Sequence, residues 1–189
     1  AVLRLIYYGF GADFLRGSWA QTVVMTAAIV TIVYGSARAL RTPHLKRRLA
    51  FSTVSNLSYI LFALTLMTPA GMVGGMTHMV YHAFTKITMF CCAGAIIVKS
   101  GREYIYELED FGRAMPVVFA TFALIGMPPL GGFAGKWMIA EAAVASMNPL
   151  AYGGIAALIL STLLTTLYML TIVVRAYFPV GELDRAALA

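Results

Sequence analysis

Charged side chains are scarce in this sequence. Asp, Glu, Lys and Arg make up 12% of the 189 residues, whereas hydrophobic residues make up 60%. An ordinary soluble domain devotes about a quarter of its residues to charged side chains. The shortage excludes a soluble globular protein and predicts an integral membrane protein, an all-α, polytopic bundle of transmembrane helices.

Acidic residues are the rarer charged class, with 8 Asp and Glu against 14 Lys and Arg, so the formal net charge is +6. Such a charge would suit a nucleic-acid-binding protein. Here, however, the basic residues cluster at the ends of apolar runs, where membrane topology explains them better. We therefore expect no nucleic acid as a partner.

Cysteine is also rare, and its placement excludes a disulfide framework. The two cysteines, Cys91 and Cys92, are adjacent. Neighbouring side chains on a helix diverge, so this pair is interpreted as core packing. The Gly-rich run PPLGGFAG is not followed by the Lys and Ser or Thr of a phosphate-binding loop, which argues against nucleotide binding. We expect no cofactor, no metal and no catalytic residue.

The apolar residues fall into five runs long enough to cross a bilayer. The predicted spans are about residues 19–38, 49–67, 72–98, 115–147 and 153–177. If they alternate in direction, most basic residues outside the spans share one side: Arg38, Arg41, Lys46, Arg47, Arg48, Lys99, Arg102, Arg113, Arg175 and Arg185. Only Arg4 and Arg16 fall on the other side. The positive-inside rule makes the crowded side cytoplasmic, provided that 115–147 crosses once. The polar segment 99–113 is either a solvated connector or a docking surface for a partner subunit.

Three cationic residues, His78, His82 and Lys86, lie four residues apart in the apolar run 72–98. This spacing drifts by only about 40° per step, so the three side chains share one stripe of a helix. Lys86 is about 20 Å of helix from either end of the run, too far to reach the membrane surface. An ammonium at mid-membrane costs about 2.5 to 3.5 kcal/mol on insertion scales, so it usually faces a polar interior and belongs to an ion or proton path.

Two other interpretations of the stripe are a structural polar cluster and a zinc site at His78 and His82. The zinc site is disfavoured because no Asp or Glu stands nearby in the stripe. The first half of the span 49–67 carries polar residues that we expect to face the stripe: Ser52, Thr53, Ser55, Asn56, Ser58 and Tyr59. Such residues in lipid turn toward other helices or toward water.

The segment GMPPLGGFAGKW predicts a helix break within the fourth run, near residues 126–135. Its break residues are Pro128, Pro129, Gly131 and Gly132. Because proline removes a backbone donor, we expect carbonyl groups around residues 121–125 to be met by water or polar side chains. Lys136 follows the break, either as a helix-end residue at the interface or as part of an ion path. We expect it to share a hydrated pocket with Lys86 if it belongs to a relay.

Glu141, further along the same run, is a candidate supporting residue. The spacing leaves two interpretations open. It is an ion-pair partner of Lys136 or a residue near the outer surface.

The segments LKRRLAFSTVSNLSY, THMVYHAFTKITMFCCAGAI and GMPPLGGFAGKW occur in an order and spacing that resembles a known family. This is the second half of the antiporter-like membrane subunits of respiratory complex I, a family shared with multi-subunit sodium/proton antiporters and membrane-bound hydrogenases. The resemblance implies inverted repeats, each with one broken helix, of which this chain contains most of the second. It also implies that Lys86 is the central channel lysine, preceded by His78 and His82. Lys136 then matches the lysine at the broken helix, near the outer exit.

Two features limit what the resemblance implies. The acidic residue that usually precedes LKR is replaced by His44, which puts an ion-pair role of that loop in doubt. The chain also opens on AVLRLIYYGFG, as if inside a helix, so we expect a fragment that cannot pump alone.

The leading functional hypothesis is a proton-translocating subunit of a complex I type NADH:quinone oxidoreductase, without redox chemistry of its own. The alternatives are a subunit of a sodium/proton antiporter or of a membrane-bound hydrogenase, and, from another class, a non-conducting membrane scaffold. Expected partners are other membrane subunits, the lipid bilayer and protons, or sodium in an antiporter. The expected location is the inner or plasma membrane of a prokaryote.

Overall fold

A computed structural model describes residues 4–101, 103–107, 115–128 and 130–177. Six main helices account for most of these residues. They are α1 (Trp19–Arg41), α2 (Leu45–Thr65), α3 (Pro69–Ser100), α4 (Met115–Ile125), α5 (Gly131–Ala145) and α6 (Pro149–Tyr177). Shorter helical segments cover Leu5–Phe10, Ala12–Leu15 and Ile105–Glu107, and the described ranges contain no β-strand. The predicted all-α fold is confirmed.

The ends of the helices follow local capping chemistry. The Ser18 side chain caps α1 by accepting a hydrogen bond from Gln21 N, and Thr68 caps α3 by accepting one from Gly71 N. Pro69 opens α3, where its missing N–H costs nothing. Gly101 ends α3 in the left-handed conformation, with φ of 69°, which is the usual role of glycine after a helix.

Helix α1 packs against α2 and α6, whereas α3 packs against α2, α4 and α5. Three helices of the described part are long and apolar enough to cross a membrane: Trp19–Arg41, Pro69–Lys99 and Pro149–Arg175. Helix α2 is not among them because basic residues open it and buried serines and an asparagine lower its hydropathy. It also begins at Leu45, earlier than the predicted span 49–67, and α3 is longer than the predicted span 72–98.

The apolar core consists of two separate clusters with a polar layer between them. On α1 the sequence runs from the buried Ile32 of one cluster, through buried Ser36, to Ala39 of the other. The same order holds on α6, where Ser161 lies between Leu158 and Tyr168. Buried polar groups are costly unless they are hydrogen-bonded, so this layer is a specific feature of the fold.

The helix predicted to be discontinuous is broken between α4 and α5. Helix α4 ends at Ile125, Gly126 takes φ of 90°, and α5 begins at Gly131. Pro128 lies within this break, and Pro129 lies outside the described residues. The sequence also placed Gly131 and Gly132 in the break, but the structure places them in the first turn of α5.

Glycine is required at positions 131 and 132 because the helices pack closely there, not because the chain turns. A Cβ atom on Gly132 would lie 1.8 Å from the carbonyl oxygen of Ala123, and one on Gly131 would lie 2.2 Å from the Tyr81 ring. The same holds one turn later, where a Cβ on Gly135 would lie within 3 Å of His78. The glycines therefore let α5 approach α3 and the end of α4.

Candidate functional site

Lys86 on α3 is buried inside the helix bundle, with 6% of its surface exposed. Its ammonium donates a hydrogen bond to the backbone oxygen of Leu49 on α2, with an Nζ to O distance of 2.9 Å. It also lies 6.0 Å from the centre of the Phe90 ring. No carboxylate of the described residues pairs with it. Lys86 is thus a buried cation held by one carbonyl group and one aromatic face.

Lys136 on α5 is equally buried, with 7% of its surface exposed, and it turns back toward the helix break. Its Nζ atom donates to the backbone oxygens of Leu124, at 3.1 Å, and Ile125, at 2.8 Å. These carbonyls belong to the last turn of α4, where a helix leaves acceptors unpaired and carries partial negative charge. The freed carbonyls expected from the proline-containing break are therefore met by a lysine of the next helix.

His78 and His82 lie on the same side of α3 as Lys86, and both are buried. Their rings stack, with centres 5.9 Å apart. The Tyr59 ring of α2 meets His78 edge-on at 5.5 Å and lies 5.7 Å from Lys136 Nζ. One series of contacts therefore runs from Lys136 through Tyr59 and His78 to His82, and Lys86 lies one helical turn beyond His82 on α3.

The histidines are unusual in having no partner for their nitrogens. All four ring nitrogens of His78 and His82 are buried without a hydrogen bond to any described residue, as is the side-chain oxygen of Asn56. Buried polar atoms normally require a partner, and ordered water supplies it when protein does not. A cavity of about 10 Å³ lies against both histidines, Asn56 and Leu124. This space is close to the minimum that holds one water molecule.

The cavity differs from the expected pocket shared by the two lysines. It is lined by the histidines and by Leu124, and neither Lys86 nor Lys136 lines it. The lysine side chains end on backbone carbonyls instead. The two histidines therefore border this cavity, and the two lysines do not share it.

The predicted supporting residues of α2 all lie inside the bundle. Ser52, Ser55, Asn56 and Tyr59 are buried on α2, which packs against α1, α3 and α6. Ser55 faces α1, where it donates a hydrogen bond to Ile32 O. Asn56 lies against the cavity beside the histidines. Glu141 does not join them, because it is exposed and makes no ion pair with Lys136. Of its two interpretations, pairing with Lys136 is wrong.

A cluster of hydroxyl groups at the centre of the polar layer escaped sequence reasoning. Ser36 of α1, Ser55 of α2 and Ser161 of α6 hydrogen-bond to one another, with 2.8 Å between Ser36 Oγ and Ser55 Oγ. The Tyr59 hydroxyl donates to Ser161 Oγ at 2.5 Å. The cluster thereby fixes the Tyr59 ring that faces Lys136 and His78. The available signal was a lone serine in each of two apolar runs, a pattern typical of contacts between membrane helices.

Arg48 was also missed, since the sequence placed it among the topological basic residues. It is 6% exposed and donates to the backbone oxygens of Leu40, Thr42 and Tyr168. Arg48 therefore ties the end of α1 and an interior turn of α6 to the start of α2. Nearby, His44 Nε2 lies 3.2 Å from Glu103 Oε2, so the loop does form an ion pair when the histidine is protonated.

The described residues contain no group of three or more His, Cys, Asp or Glu arranged to hold a metal ion. The stripe of His78, His82 and Lys86 also lacks a carboxylate partner within the part of the chain that the structure covers. What the site offers chemically is a set of proton-carrying groups in an apolar surrounding: two amines and two imidazoles, with the Tyr59 ring between Lys136 and His78.

A family model and a relative both match most of this chain. The family model described as NADH:quinone oxidoreductase/Mrp antiporter, TM, matches residues 3–166. Subunit N of the NADH-quinone oxidoreductase of Parvibaculum lavamentivorans is 32% identical over 184 residues, which cover 94% of this chain and 37% of that protein. The chain thus spans little more than a third of the length of this relative.

Solved structures share the fold. A chain of the membrane-bound sulfane sulfur reductase, an archaeal respiratory membrane complex, matches with a TM-score of 0.77 and 25% identity, over 89% of this chain and 37% of that chain. A chain of the Mrp complex from Dietzia sp. matches with a TM-score of 0.73 and 27% identity, over 89% of this chain and 32% of that chain. The family-model match, residues 3–166, includes the helices that carry the site.

Proposed function

The chain belongs to the family of antiporter-like integral membrane subunits of NADH:quinone oxidoreductases and Mrp antiporters, and on that basis we propose that it moves protons through His78, His82, Lys86 and Lys136. The residues act as a relay, each accepting a proton from one neighbour and passing it to the next. The subunit has no redox role in this proposal. Its work is driven by redox chemistry or by an ion gradient elsewhere in a larger complex.

One observation carries the proposal. Among the described residues, the two buried lysines hydrogen-bond only to backbone carbonyls and each lies near one aromatic ring, while His78 and His82 have four buried ring nitrogens without a partner. A purely structural lysine in an apolar core is normally paired with a carboxylate. Imidazole is the side chain best suited to taking up and releasing protons near neutral pH.

The relay requires that its members change their charge during turnover. A lysine that always kept its proton would block the path, because an ammonium cannot accept a second proton. Moving one charge against 100 mV costs about 2.3 kcal/mol, which the driving reaction must supply. Like charges disfavour each other at short range, so a proton arriving on one group of the series promotes release from its neighbour. The unbroken series of contacts from Lys136 to His82 gives this coupling a physical route.

The parent complex is proposed to be of the NADH:quinone oxidoreductase type, as in the relative from Parvibaculum lavamentivorans. Similarity to the Mrp complex supports an antiporter as the alternative, with sodium as a further transported ion. In either case the partners are other membrane subunits, and a first half-channel would be supplied by the remainder of the protein. We place the basic helix ends on the cytoplasmic side of a prokaryotic plasma membrane, following the charge asymmetry.

The test is proton transport by the full-length subunit within its parent complex, reconstituted in vesicles and followed with a pH-sensitive dye. Lys86→Ala should reduce transport at least tenfold while the complex still assembles. Lys99→Ala is the matched control, since Lys99 is an exposed lysine at the end of the same helix. Full transport by Lys86→Ala would refute the relay and favour the non-conducting scaffold.

A further inference from the structure

Three arginines gather at one end of the groove between α1 and α2. Arg38 and Arg41 lie in the last turn of α1, and Arg47 lies in the first turn of α2. Together they line an open pocket of about 570 Å³, many times the ~30 Å³ that one water molecule occupies. From this pocket we propose that the α1–α2 groove binds an anionic phospholipid, with its phosphate among the arginines and an acyl chain along the groove.

The charge of the pocket is of one sign. Among the described residues, its lining contains three guanidinium groups and no acidic residue. All three arginines are exposed, and none pairs with a carboxylate among the described residues. Glu103, a described acid near this loop, is paired with His44 instead. Guanidinium groups match phosphate oxygens with paired N–H donors, so three arginines that lack a described carboxylate partner favour a phosphate ligand.

Membrane topology accounts for basic residues at a helix end, but not for their arrangement here. Lys46 and Arg47 are adjacent and equally suited to mark the cytoplasmic side, yet only Arg47 lines the pocket. Arg38 is further fixed by the Phe51 ring, whose centre lies 5.5 Å from the guanidinium carbon. The pocket is thus a concave site with one aromatic wall, shared by two helices.

An apolar stripe continues from the arginines along each helix. On α2, Ala50, Val54 and Leu57 follow Arg47 at helical spacing, and all are exposed. On α1, Tyr34 and Val30 are 58% and 60% exposed at the corresponding positions below Arg38. Charge at one end and apolar surface along the remainder match an amphiphile. An acidic segment of a partner protein would complement the arginines but not this apolar continuation.

The experiment uses the full-length subunit in its purified parent complex, stripped of lipid in detergent. Phosphatidylglycerol is added, and the bound lipid is counted by native mass spectrometry. Phosphatidylcholine serves as the zwitterionic lipid, and glycerol phosphate as the headgroup without chains. We expect phosphatidylglycerol to bind at least tenfold more tightly than either.

The triple variant Arg38→Gln, Arg41→Gln, Arg47→Gln should bind phosphatidylglycerol about a hundredfold more weakly, at about fivefold per arginine. Lys46→Gln removes the same charge beside the pocket and should change the affinity less than twofold. If the triple variant does not assemble, Arg41→Gln alone should weaken binding about fivefold.

Four results would overturn the proposal. The first is unchanged affinity in Arg41→Gln or in the assembled triple variant. The second is an equal effect of Lys46→Gln and Arg47→Gln, which would indicate diffuse attraction rather than a site. The third is glycerol phosphate competing as well as the lipid. The fourth is an acidic partner segment occupying the pocket in the assembled complex. None of these results depends on whether the subunit conducts protons.

Discussion

The two buried lysines sit in contrasting surroundings. Lys86 projects from the middle of an unbroken helix and reaches one carbonyl, Leu49 O, which lies inside the regular helix α2. Lys136 projects from the helix after the break and reaches two carbonyls, those of Leu124 and Ile125, at the end of α4. Lys86 donates to a carbonyl inside an intact helix. Lys136 donates to carbonyls that are available because their helix ends at the break.

The difference shows what the break contributes to the site. Terminal carbonyls of a helix lack intrahelical partners, so a buried helix end needs another donor. Lys136 is that donor, so its substitution should lower both the stability of the protein and proton transport. Lys86 donates to a carbonyl inside the regular helix α2, so its substitution should lower proton transport without a comparable loss of stability.

The largest effect should come from disturbing the contact between α4 and α5. Gly132→Ala places a Cβ atom 1.8 Å from the oxygen of Ala123, which forces the two helices apart. Overpacking of this kind costs about 1 to 3 kcal/mol. It should also move the carbonyl acceptors away from Lys136, and we expect proton transport by the intact complex to fall at least tenfold.

Gly94→Ala is the control for this change, since Gly94 lies within α3 and a Cβ there meets nothing within 4 Å. It should leave transport unaltered and the thermal midpoint equal or higher. Equal effects of the two substitutions would show that the close contact at the break is not required.

A smaller effect should separate the two lysines directly. Lys136→Met leaves two buried carbonyls at the end of α4 without their donor. In Lys86→Met, the carbonyl of Leu49 still lies inside the regular helix α2. Because an unsatisfied buried group costs about 1 to 3 kcal/mol, Lys136→Met should be the less stable variant by about that amount. Chemical denaturation of the purified subunit in detergent measures the difference. Equal stability of Lys136→Met and Lys86→Met would show that the two lysines do not differ in their structural role.

The smallest effect should come from Tyr59→Phe, which keeps the ring beside Lys136 and His78 but removes the hydroxyl bonded to Ser161. One hydrogen bond contributes about 1 kcal/mol, so we expect a modest loss of stability and at most a few-fold loss of transport. Tyr152→Phe, at a position with 50% exposure, is the matched control. A loss as large as that of Lys86→Ala would make the hydroxyl itself part of the relay.

Sequence patterns predicted the elements of the site better than its contacts. The four-residue spacing of His78, His82 and Lys86 placed them on one helix stripe, and Pro128 marked the break, because both signals are local. Nothing local indicated that Gly132 belongs to the close contact between α4 and α5 rather than to the break. That role depends on where Ala123 lies in three dimensions.

The polar layer shows the same limit. Ser55 and Tyr59 stood out because polar residues are dense in the first half of α2. Ser36 and Ser161 are the only serines of α1 and α6, and only the packing of these helices on α2 brings them together. Likewise, burial distinguished Arg48 from its exposed neighbour Arg47, although the two are chemically identical.

The central claim is that Lys86 works by gaining and losing a proton, not by carrying a fixed charge. Proton transport by the reconstituted parent complex with Lys86→Arg tests it most directly. Arginine preserves a cation and several donors at this position but does not release its proton in proteins. We predict an assembled complex whose transport falls as far as that of Lys86→Ala. Transport near the wild-type rate in Lys86→Arg would contradict the account, because a permanent cation would then be sufficient.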